Sequence, residues 1–248
     1  MEITYIGHSG FLIEWDTCYW LFDYYQGDIP EMDGEKKIIV FASHKHRDHF
    51  NPEIFSLYGQ YKDVEYVLSS DIHLLKENPG SLHRMDVADG IYNKILSVKP
   101  SSEYEIYDKH KETIRLKTLK STDCGVAFLL FYQGKTIYHA GDLNLWIWKK
   151  ESKQTNNNMT ARFNREMACL KDVKIDIAFV PLDPRQEEWY SKGLEGLLNA
   201  ATVRYAFPMH FWNKPYVIQQ FKREKALDFK HTEIMDISRD GQTWTLDI

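Results

Sequence analysis

Hydrophobic residues near the start of the chain fall into four short runs, each bounded by glycine, aspartate or a charged residue. The runs are MEITYIG, GFLIEWD, CYWLFDYY and KKIIVFAS. Short runs rich in β-branched and aromatic residues predict strands, and here we expect a mostly antiparallel sheet. The last run leads into FASHKHRDHF. Asn51-Pro52-Glu53 then supplies a capping side chain, a proline at the first helical position and an acidic first turn, so the histidines lie on a predicted strand-to-helix loop.

The middle of the chain continues the strand pattern with VEYVLSS, TIRLKTLKS and GVAFLLFYQGKTIYHAGD. In the last of these, Gln133-Gly134 divides two apolar runs as the turn of a β-hairpin does. Residues 151–160 form the most polar stretch, which is compatible with a mobile loop or with the entry to a helix. We expect residues 70–118 and 143–162 to shape the loops around a functional site.

From residue 161 onward, helical spacing alternates with strand runs. The inward positions of three predicted helices are Phe163, Met167 and Leu170, then Leu194, Leu197, Leu198 and Ala201, and then Val217, Ile218 and Phe221 after Pro215. The predicted strands are KIDIAFVPLD, VRYAFPMHF and QTWTLDI. Because no linker or change of composition separates the halves, we expect residues 1–248 to form one α/β domain with two β-rich halves, each followed by helices.

The amino-acid composition indicates a globular protein and bears on the kind of partner it binds. Of 248 residues, 43% are hydrophobic and 27% are charged, which is typical of a globular chain with a sizeable core. The formal net charge is −5 and no dense block of lysine and arginine occurs. We therefore expect a small-molecule substrate and do not expect nucleic acid as a partner.

Cysteine usage and the N-terminus indicate where the protein works. Cys18, Cys124 and Cys169 are odd in number and have no C-x-x-C spacing, so we expect reduced thiols. MEITYIGHSG lacks the basic and apolar segments of a signal peptide, and no window approaches the roughly 18 consecutive apolar residues of a membrane-spanning helix. We expect a cytoplasmic protein that does not associate with membranes.

The strongest chemical signal is the motif His-x-His-x-Asp-His, formed by His44, His46, Asp48 and His49. On an extended chain alternate side chains point the same way, so two imidazoles can meet one metal ion, and the following loop can turn Asp48 and His49 toward another. Imidazole suits zinc or iron, and carboxylates also accept manganese. Two ions fit this set better than one, whereas the alternative of a solvated polar loop leaves the spacing unexplained.

These residues resemble the signature of the metallo-β-lactamase superfamily of metal-dependent hydrolases. The later motifs of that family recur in the same order, as His139-Ala140-Gly141-Asp142 and as His210 in FPMHF, and the resemblance runs from about residue 5 to residue 212. It implies a four-layer αββα sandwich with a dinuclear metal site. The opening Gly7-His8-Ser9 resembles the branch of small hydrolases that includes ascorbate-6-phosphate lactonase.

The resemblance also implies a ligand set. His44 and His46 would bind the first metal, Asp48, His49 and His210 the second, and Asp142 would bridge both. The family usually supplies one more histidine from the loop before GVAFLLF, but here that loop reads LKSTDC.

Three interpretations of the missing histidine stay open. Asp123 replaces it, which would give three carboxylates and favour manganese or iron as well as zinc. Cys124 replaces it as a thiolate. Alternatively, the first site is incomplete and only the second ion binds. We take Asp123 as the working hypothesis and expect two divalent ions, with zinc ahead of manganese and iron.

Other residues near these motifs have candidate roles. His8 and His139 are either structural or contact the ligands or the substrate from outside the coordination sphere. Trp146, Trp148 and Trp212 wall a substrate pocket or fill the core beneath it. The candidates for holding an anionic group are Arg162, Arg185 and Lys214.

The resemblance implies a hydrolase that uses a metal-bound hydroxide on a small ester, lactone or phosphodiester. In this chemistry Asp142 orients the nucleophile and Asp48 moves a proton to the leaving group. The alternatives are an iron-dependent redox member of the superfamily, a nuclease, and a non-catalytic metal-binding protein with a degenerate site.

Overall fold

The computed structural model describes residues 1–73, 89–225 and 228–248. Residues 74–88, which belong to the predicted 70–118 loop region, lie outside this description. The chain forms two compact units. The first unit comprises Met1–Lys99, Glu105–Ile114 and Asp240–Ile248, and the second comprises Pro100–Tyr104 and Arg115–Arg239.

Fourteen strands occur among the described residues. They are β1 (Glu2–Gly7), β2 (Gly10–Glu14), β3 (Cys18–Phe22), β4 (Lys37–Ala42), β5 (Val64–Ser69), β6 (Ile95–Val98), β7 (Glu103–Tyr107), β8 (Thr113–Lys120), β9 (Val126–Tyr132), β10 (Lys135–His139), β11 (Lys174–Pro181), β12 (Thr202–Met209), β13 (Glu233–Ile234) and β14 (Thr243–Thr245). The α-helices are α1 (Leu57–Gln60), α2 (Lys153–Ala168), α3 (Lys192–Ala200) and α4 (Tyr216–Lys225), and short 3-10 helices span Pro52–Ser56, Asp89–Lys94 and Pro184–Trp189.

The first sheet has the order β14-β1-β2-β3-β4-β5-β6. Its strands are antiparallel from β14 to β3 and parallel from β3 to β6. Among the four predicted strands, β1 to β3 are antiparallel as expected, and only the pairing of β4 with β3 is parallel. Every residue of β3 and β4 is buried, so neither strand alternates apolar and polar positions. This pattern is typical of parallel strands that are covered on both faces.

The second sheet has the order β13-β12-β11-β10-β9-β8-β7 and is also mixed. The hairpin predicted at Gln133-Gly134 is confirmed, because β9 and β10 pair antiparallel around it. Both turn residues have positive φ, 48° for Gln133 and 72° for Gly134, as a tight two-residue hairpin turn requires. From β10 to β13 the strands run parallel, so β10, β11 and β12 end at one edge of the sheet.

The predicted helices of the second half are confirmed. The polar stretch 151–160 opens α2, because the Ser152 side chain accepts a hydrogen bond from the Thr155 backbone N–H and caps the helix. Helix α2 buries Phe163 and Met167, whereas Leu170 lies just beyond its end and is also buried. In the described part of the chain, no helix has both the length and the apolar character needed to cross a bilayer.

Helix α3 approaches the loop after β10 very closely at Gly193. A Cβ added there would overlap the side-chain amide oxygen of Asn144 and lie 3.3 Å from the backbone nitrogen of Leu145. Asn144 has little freedom to withdraw, because it is buried and its amide nitrogen donates to Gln186 Oε1 at 2.8 Å. Only glycine allows this packing, which fixes the loop that also carries Asp142.

We predict that Gly193→Ala lowers the free energy of unfolding by about 1–3 kcal/mol, because the added methyl group forces the loop away from α3. Gly59→Ala is the matched control, since nothing lies within 4 Å of the added Cβ in α1. That control should be neutral or stabilise the protein by up to about 1 kcal/mol. Urea denaturation measures both, and equal stabilities of the two variants would contradict the close approach.

Candidate metal centre

In the first unit, the carboxyl ends of β3 and β4 bring together one group of candidate site residues. Asp23 directly follows β3, and the segment from Ser43 to His49 directly follows β4. Because these strands are parallel neighbours, their ends lie at the same edge of the sheet. The loop then enters the 3-10 helix Pro52–Ser56, which Asn51 caps by accepting from the Glu53 backbone N–H, so the predicted strand-to-helix loop is confirmed.

Asp23 is completely buried and holds this loop. Its carboxylate accepts hydrogen bonds from the Ser43 backbone N–H at 2.7 Å and from the Ser43 hydroxyl at 2.6 Å. Nδ1 of the fully buried His49 lies 2.7 Å from Oδ2 of Asp23. Because a carboxylate only accepts, this contact puts the imidazole proton on Nδ1 and leaves the lone pair of Nε2 for coordination.

His44 and His46 direct two ring nitrogens toward a common point. Nε2 of His44 lies 3.1 Å from Nδ1 of His46, and Nδ1 of His44 lies 3.0 Å from the Ser43 hydroxyl oxygen. Two nitrogens on one tetrahedral zinc ion, each about 2.0–2.1 Å from the metal, are separated by about 3.3 Å. The observed separation and the imidazole chemistry therefore fit one shared ion.

Asp48 and His8 form a further contact in the same unit. Nε2 of His8 lies 3.4 Å from Oδ2 of Asp48, and His8, Asp48 and His49 each offer a ligand atom within 4.8 Å of the other two. Burial acts to raise the pKa of Asp48, but the hydrogen bond from His8 and the neighbouring His49 and His8 imidazoles outweigh it and hold the pKa well below its ordinary value. Asp48 is thus a carboxylate at neutral pH, and His8 contacts it directly.

The second unit repeats the arrangement at the ends of β10, β11 and β12. Asp142, Asp183 and His210 follow these strands, whose carboxyl ends lie at one edge. Nδ1 of His210 lies 2.9 Å from Oδ2 of the completely buried Asp183, so His210 also keeps Nε2 for coordination. Nε2 of His210 lies 3.5 Å from Oδ1 of Asp142.

Asp183 accepts several hydrogen bonds besides that of His210. The Arg185 backbone N–H donates to it at 2.9 Å, the Arg185 Nε at 2.9 Å and the Trp212 indole N–H at 3.3 Å. Burial raises the pKa of this carboxyl, but the hydrogen bonds from His210 and Arg185 outweigh burial and lower its pKa to about 2. Asp183 is therefore a buried anion that fixes three side chains around it.

The loop with Asp123 is tied to the loop with Asp142. The Thr122 hydroxyl donates to the Asp142 backbone carbonyl at 3.2 Å and accepts from the Asn144 backbone N–H at 3.0 Å. Carboxylate oxygens of Asp123 and Asp142 lie within 4.8 Å of each other. Among the described residues, no group of potential metal ligands includes Cys124. The geometry of this unit favours Asp123 over Cys124 as the replacement for the missing histidine.

Arg162 and His139 stabilise the loops that carry Asp123 and Asp142. Nη2 of Arg162 donates to the Thr122 backbone carbonyl at 2.6 Å, which supports the Asp123 loop and commits part of the guanidinium to the protein. His139 is completely buried, and its Nδ1 accepts from the Gly141 backbone N–H at 3.2 Å. Its ring packs 5.6 Å from that of Phe179. His139 thus shapes the turn that carries Asp142.

In the second unit two tryptophans contact the His210 ring, and a third stacks on one of them. Trp146 is buried, donates its indole N–H to the Asp142 carbonyl at 3.0 Å and lies 5.4 Å from the His210 ring. Trp148 stacks on Trp146 with a ring separation of 6.0 Å and an interplanar angle of 2°. Trp212 is 37% exposed and lies edge-on to His210 at 5.5 Å. Trp146 therefore belongs to the core, whereas Trp148 and Trp212 extend toward the surface.

Sequence reasoning missed Asp23 and Asp183, the two carboxylates that orient His49 and His210. Asp23 directly follows β3 in WLFD, and Asp183 lies two residues after β11 in FVPLD. Each of these strands lies beside the strand that precedes the histidine. An aspartate at that position is the signal that would have found them, because parallel neighbours end at one edge.

We predict that Asp23→Asn lowers the free energy of unfolding by about 3 kcal/mol in the presence of EDTA, because an amide cannot accept all three buried hydrogen bonds. Asp16→Asn, at an exposed position of the same unit, should change stability by less than about 0.5 kcal/mol. Chemical denaturation measures both variants. If Asp23→Asn lowers the free energy of unfolding by less than about 1 kcal/mol, the Asp23 hydrogen bonds do not hold the loop.

Comparison with known proteins agrees with this description. The model of the beta-lactamase superfamily domain matches residues 2–158, more than half of the chain. A UPF0173 metal-dependent hydrolase from Opitutus terrae is 25% identical over 236 residues, which cover 88% of this chain and 87% of the relative.

Solved structures show the same fold. The metallo hydrolase Igni18 from Ignicoccus hospitalis has a TM-score of 0.62 at 17% identity and covers 100% of this chain and 98% of its own. A metal-dependent hydrolase from Parabacteroides distasonis has a TM-score of 0.60 at 19% identity. The match covers 95% of this chain and 92% of that protein. The predicted α/β fold of the metallo-β-lactamase type is confirmed, and the chain belongs to the beta-lactamase superfamily.

Proposed function

We propose that this protein is a hydrolase that uses two divalent metal ions to cleave a small ester, lactone or phosphodiester substrate. The observation that carries the proposal is the orientation of four imidazoles for coordination. Buried carboxylates fix His49 and His210 through Nδ1, and the facing nitrogens of His44 and His46 are 3.1 Å apart. The relatives named metal-dependent hydrolases support the reaction class.

The proposed ligand set is the one that the resemblance to the metallo-β-lactamase superfamily implies, with Asp123 in place of the missing histidine. His44, His46 and Asp123 would hold one ion, Asp48, His49 and His210 would hold the other, and Asp142 would serve both. The separation of the His44 and His46 nitrogens supports the first group, and the short contact of His210 with Asp142 supports the second. Three carboxylates make this set more anionic than an all-histidine set, so manganese and iron compete with zinc.

The ions, when bound, would lower the pKa of a coordinated water to about 7 and polarise the scissile bond. The chain itself supplies orientation and proton transfer. Asp142 has its backbone fixed by Thr122 and Trp146, so its carboxylate is held in place. Asp48 is ionised at neutral pH and can accept a proton and pass it to the leaving group. His8, in contact with Asp48, keeps that carboxylate in position.

The remaining parts of the proposal concern the setting of this activity. We take the substrate to be a small molecule, the location to be cytoplasmic, and residues 1–248 to act as one catalytic domain. The net charge of −5 argues against a nuclease, because nucleic-acid binding depends on cationic side chains that neutralise phosphates. None of the three cysteines, all in the described part of the chain, forms a disulfide, which agrees with a reducing compartment.

We predict that His46→Ala lowers the rate of hydrolysis of bis(p-nitrophenyl) phosphate or a simple lactone by about 100-fold or more, because it removes one of two imidazoles from the first ion. His231→Ala is the matched control, since His231 is exposed. Full activity of His46→Ala with intact fold would contradict a catalytic metal site.

Assays of the wild-type protein separate the alternative functions. No turnover with zinc, manganese or iron would favour a non-catalytic binding role. Oxygen consumption with retained iron would favour the redox alternative.

A second prediction tests Asp123 as a ligand. Asp123→Ala should reduce bound metal, measured by elemental analysis after gel filtration, from two ions per chain to about one, whereas Asp123→His should restore two because imidazole is the usual ligand of such sites. Asp228→Ala, at an exposed position of the same unit, is the control. Unchanged metal content in Asp123→Ala together with metal loss in Cys124→Ser would assign the ligand to the thiolate instead.

A further inference from the structure

A cavity of about 580 Å³ opens on the surface of the second unit, in the size range of small-molecule sites. Two segments line it, one running from Trp148 to Glu151 and the other from Arg185 to Glu187. These segments follow the loops that carry Asp142 and Asp183. The cavity thus lies beside the loop of the proposed ligand Asp142 and the loop of Asp183, which orients the proposed ligand His210, although no residue in its lining is itself a proposed ligand.

Arg185 presents one edge of its guanidinium for a ligand. The Nε edge faces Asp183, because both Nε and Nη2 donate to that carboxylate. In the described part of the chain no residue accepts a hydrogen bond from Nη1, and the side chain is 44% exposed. The outer edge, formed by Nη1 and the second proton of Nη2, has the fork geometry that binds carboxylate and phosphate with two parallel hydrogen bonds.

Aromatic rings fix the position of this guanidinium. The Cζ atom of Arg185 lies 4.4 Å from the ring centroid of Trp212 and 5.9 Å from that of Trp148. Both distances permit cation–π attraction. Since Asp183 holds one edge and two indoles lie beside the planar group, the outer edge is oriented before any ligand arrives. An arginine on the surface without such contacts would lose more conformational entropy on binding.

The charges and the shape of the lining indicate what would bind. Lys149 and Lys150 add two cations to that of Arg185, and Glu151 and Glu187 are the acidic residues of the lining. Lys149 lies 3.8 Å from Glu187, and Arg185 pairs with Asp183 through its Nε edge. The outer edge of the Arg185 guanidinium, rather than an excess of positive charge, is therefore what favours an anion. Trp148 is the aromatic side chain of the lining, so a flat apolar group can pack against it.

We infer that this cavity is the substrate-recognition pocket of the protein and that it selects substrates carrying an anionic group, a carboxylate or a phosphate, next to a flat apolar part. Arg185 binds the anionic group with its outer edge, and Trp148 packs against the apolar part. The ring of Trp146 links the pocket to the metal centre, because it stacks on Trp148 and contacts His210. This inference rests on the proposed function, since it names the substrate class of the same site.

Binding of non-hydrolysable probes tests the pocket without any turnover. Benzoate and phenylphosphonate carry the two kinds of anion on a flat ring, and benzyl alcohol is the neutral counterpart. We expect the protein as purified to bind at least one of the two anions at least tenfold more tightly than the alcohol, measured by calorimetry. The tighter anion identifies the preferred group. Equal affinity for all three probes would overturn the inference.

Variants assign the binding to particular side chains. Arg185→Gln should weaken the anionic probes at least tenfold, and Arg185→Lys should also weaken them because an ammonium lacks the fork. Arg204→Gln is the matched control, since Arg204 also lies over an aromatic ring, 5.0 Å from that of Tyr205. Trp148→Leu should reduce the preference for phenylphosphonate over methylphosphonate. Metal content equal to that of the wild type confirms that the Arg185 variants keep the metal centre intact.

The metal ions themselves attract anions, and removing them with EDTA separates the two sources of binding. If the pocket binds the anion, affinity falls in Arg185→Gln and stays within threefold of its original value when EDTA removes the ions from the wild-type protein. If the ions bind it, the pattern reverses, and that result overturns the inference while leaving the proposed hydrolase intact. Failure of hydrolysis by the wild-type protein, with anion binding lost only in Arg185→Gln, would instead reject the hydrolase and retain the pocket.

Discussion

Two buried carboxylate–imidazole contacts govern how the candidate metal centre is built, Asp23 with His49 and Asp183 with His210. Burying an ionised carboxylate completely costs several kcal/mol of folding free energy unless hydrogen-bond donors surround it. Ser43 supplies two donors to Asp23, and Arg185 and Trp212 supply donors to Asp183. These contacts stabilise the charge and select the nitrogen with which each histidine can bind a metal. The parallel strand pairs bring each aspartate next to its histidine.

The backbone at these positions is held in conformations that side chains rarely adopt. His8, Asp23, His210 and Trp212 have φ values of 52°, 40°, 63° and 51°. Non-glycine residues with positive φ are uncommon, and such strain persists only where surrounding contacts determine it. For Asp23, His210 and Trp212, these contacts include the hydrogen bonds of the Asp23 and Asp183 carboxylates. The strain therefore accompanies a site whose side chains are oriented by the protein itself, and the same carboxylate that orients His210 also orients Arg185 at the rim of the adjacent cavity.

Much of this architecture was predictable from the sequence, since turn and cap residues act locally. Gln133-Gly134 identified the hairpin, Asn51-Pro52-Glu53 identified the helix start, and the motif from His44 to His49 identified the metal chemistry and the family. Strand direction was not predictable, because the fully buried run of β4 suits either direction until its neighbour is known. Asp23 and Asp183 also escaped detection, since a single aspartate after a strand resembles any loop residue until tertiary pairing gives it a histidine.

The central claim is that the donor set holds two divalent ions, with His49 and His210 coordinating through Nε2. Anomalous diffraction from crystals of protein purified without added metal or chelator tests it most directly. The account predicts two peaks about 3.5–4 Å apart. Nε2 of His49 and Nε2 of His210 should each lie about 2.0–2.1 Å from a metal ion. A single peak or none after zinc, manganese and iron are offered, or coordination through Nδ1 with the Asp23 and Asp183 contacts broken, would contradict the account.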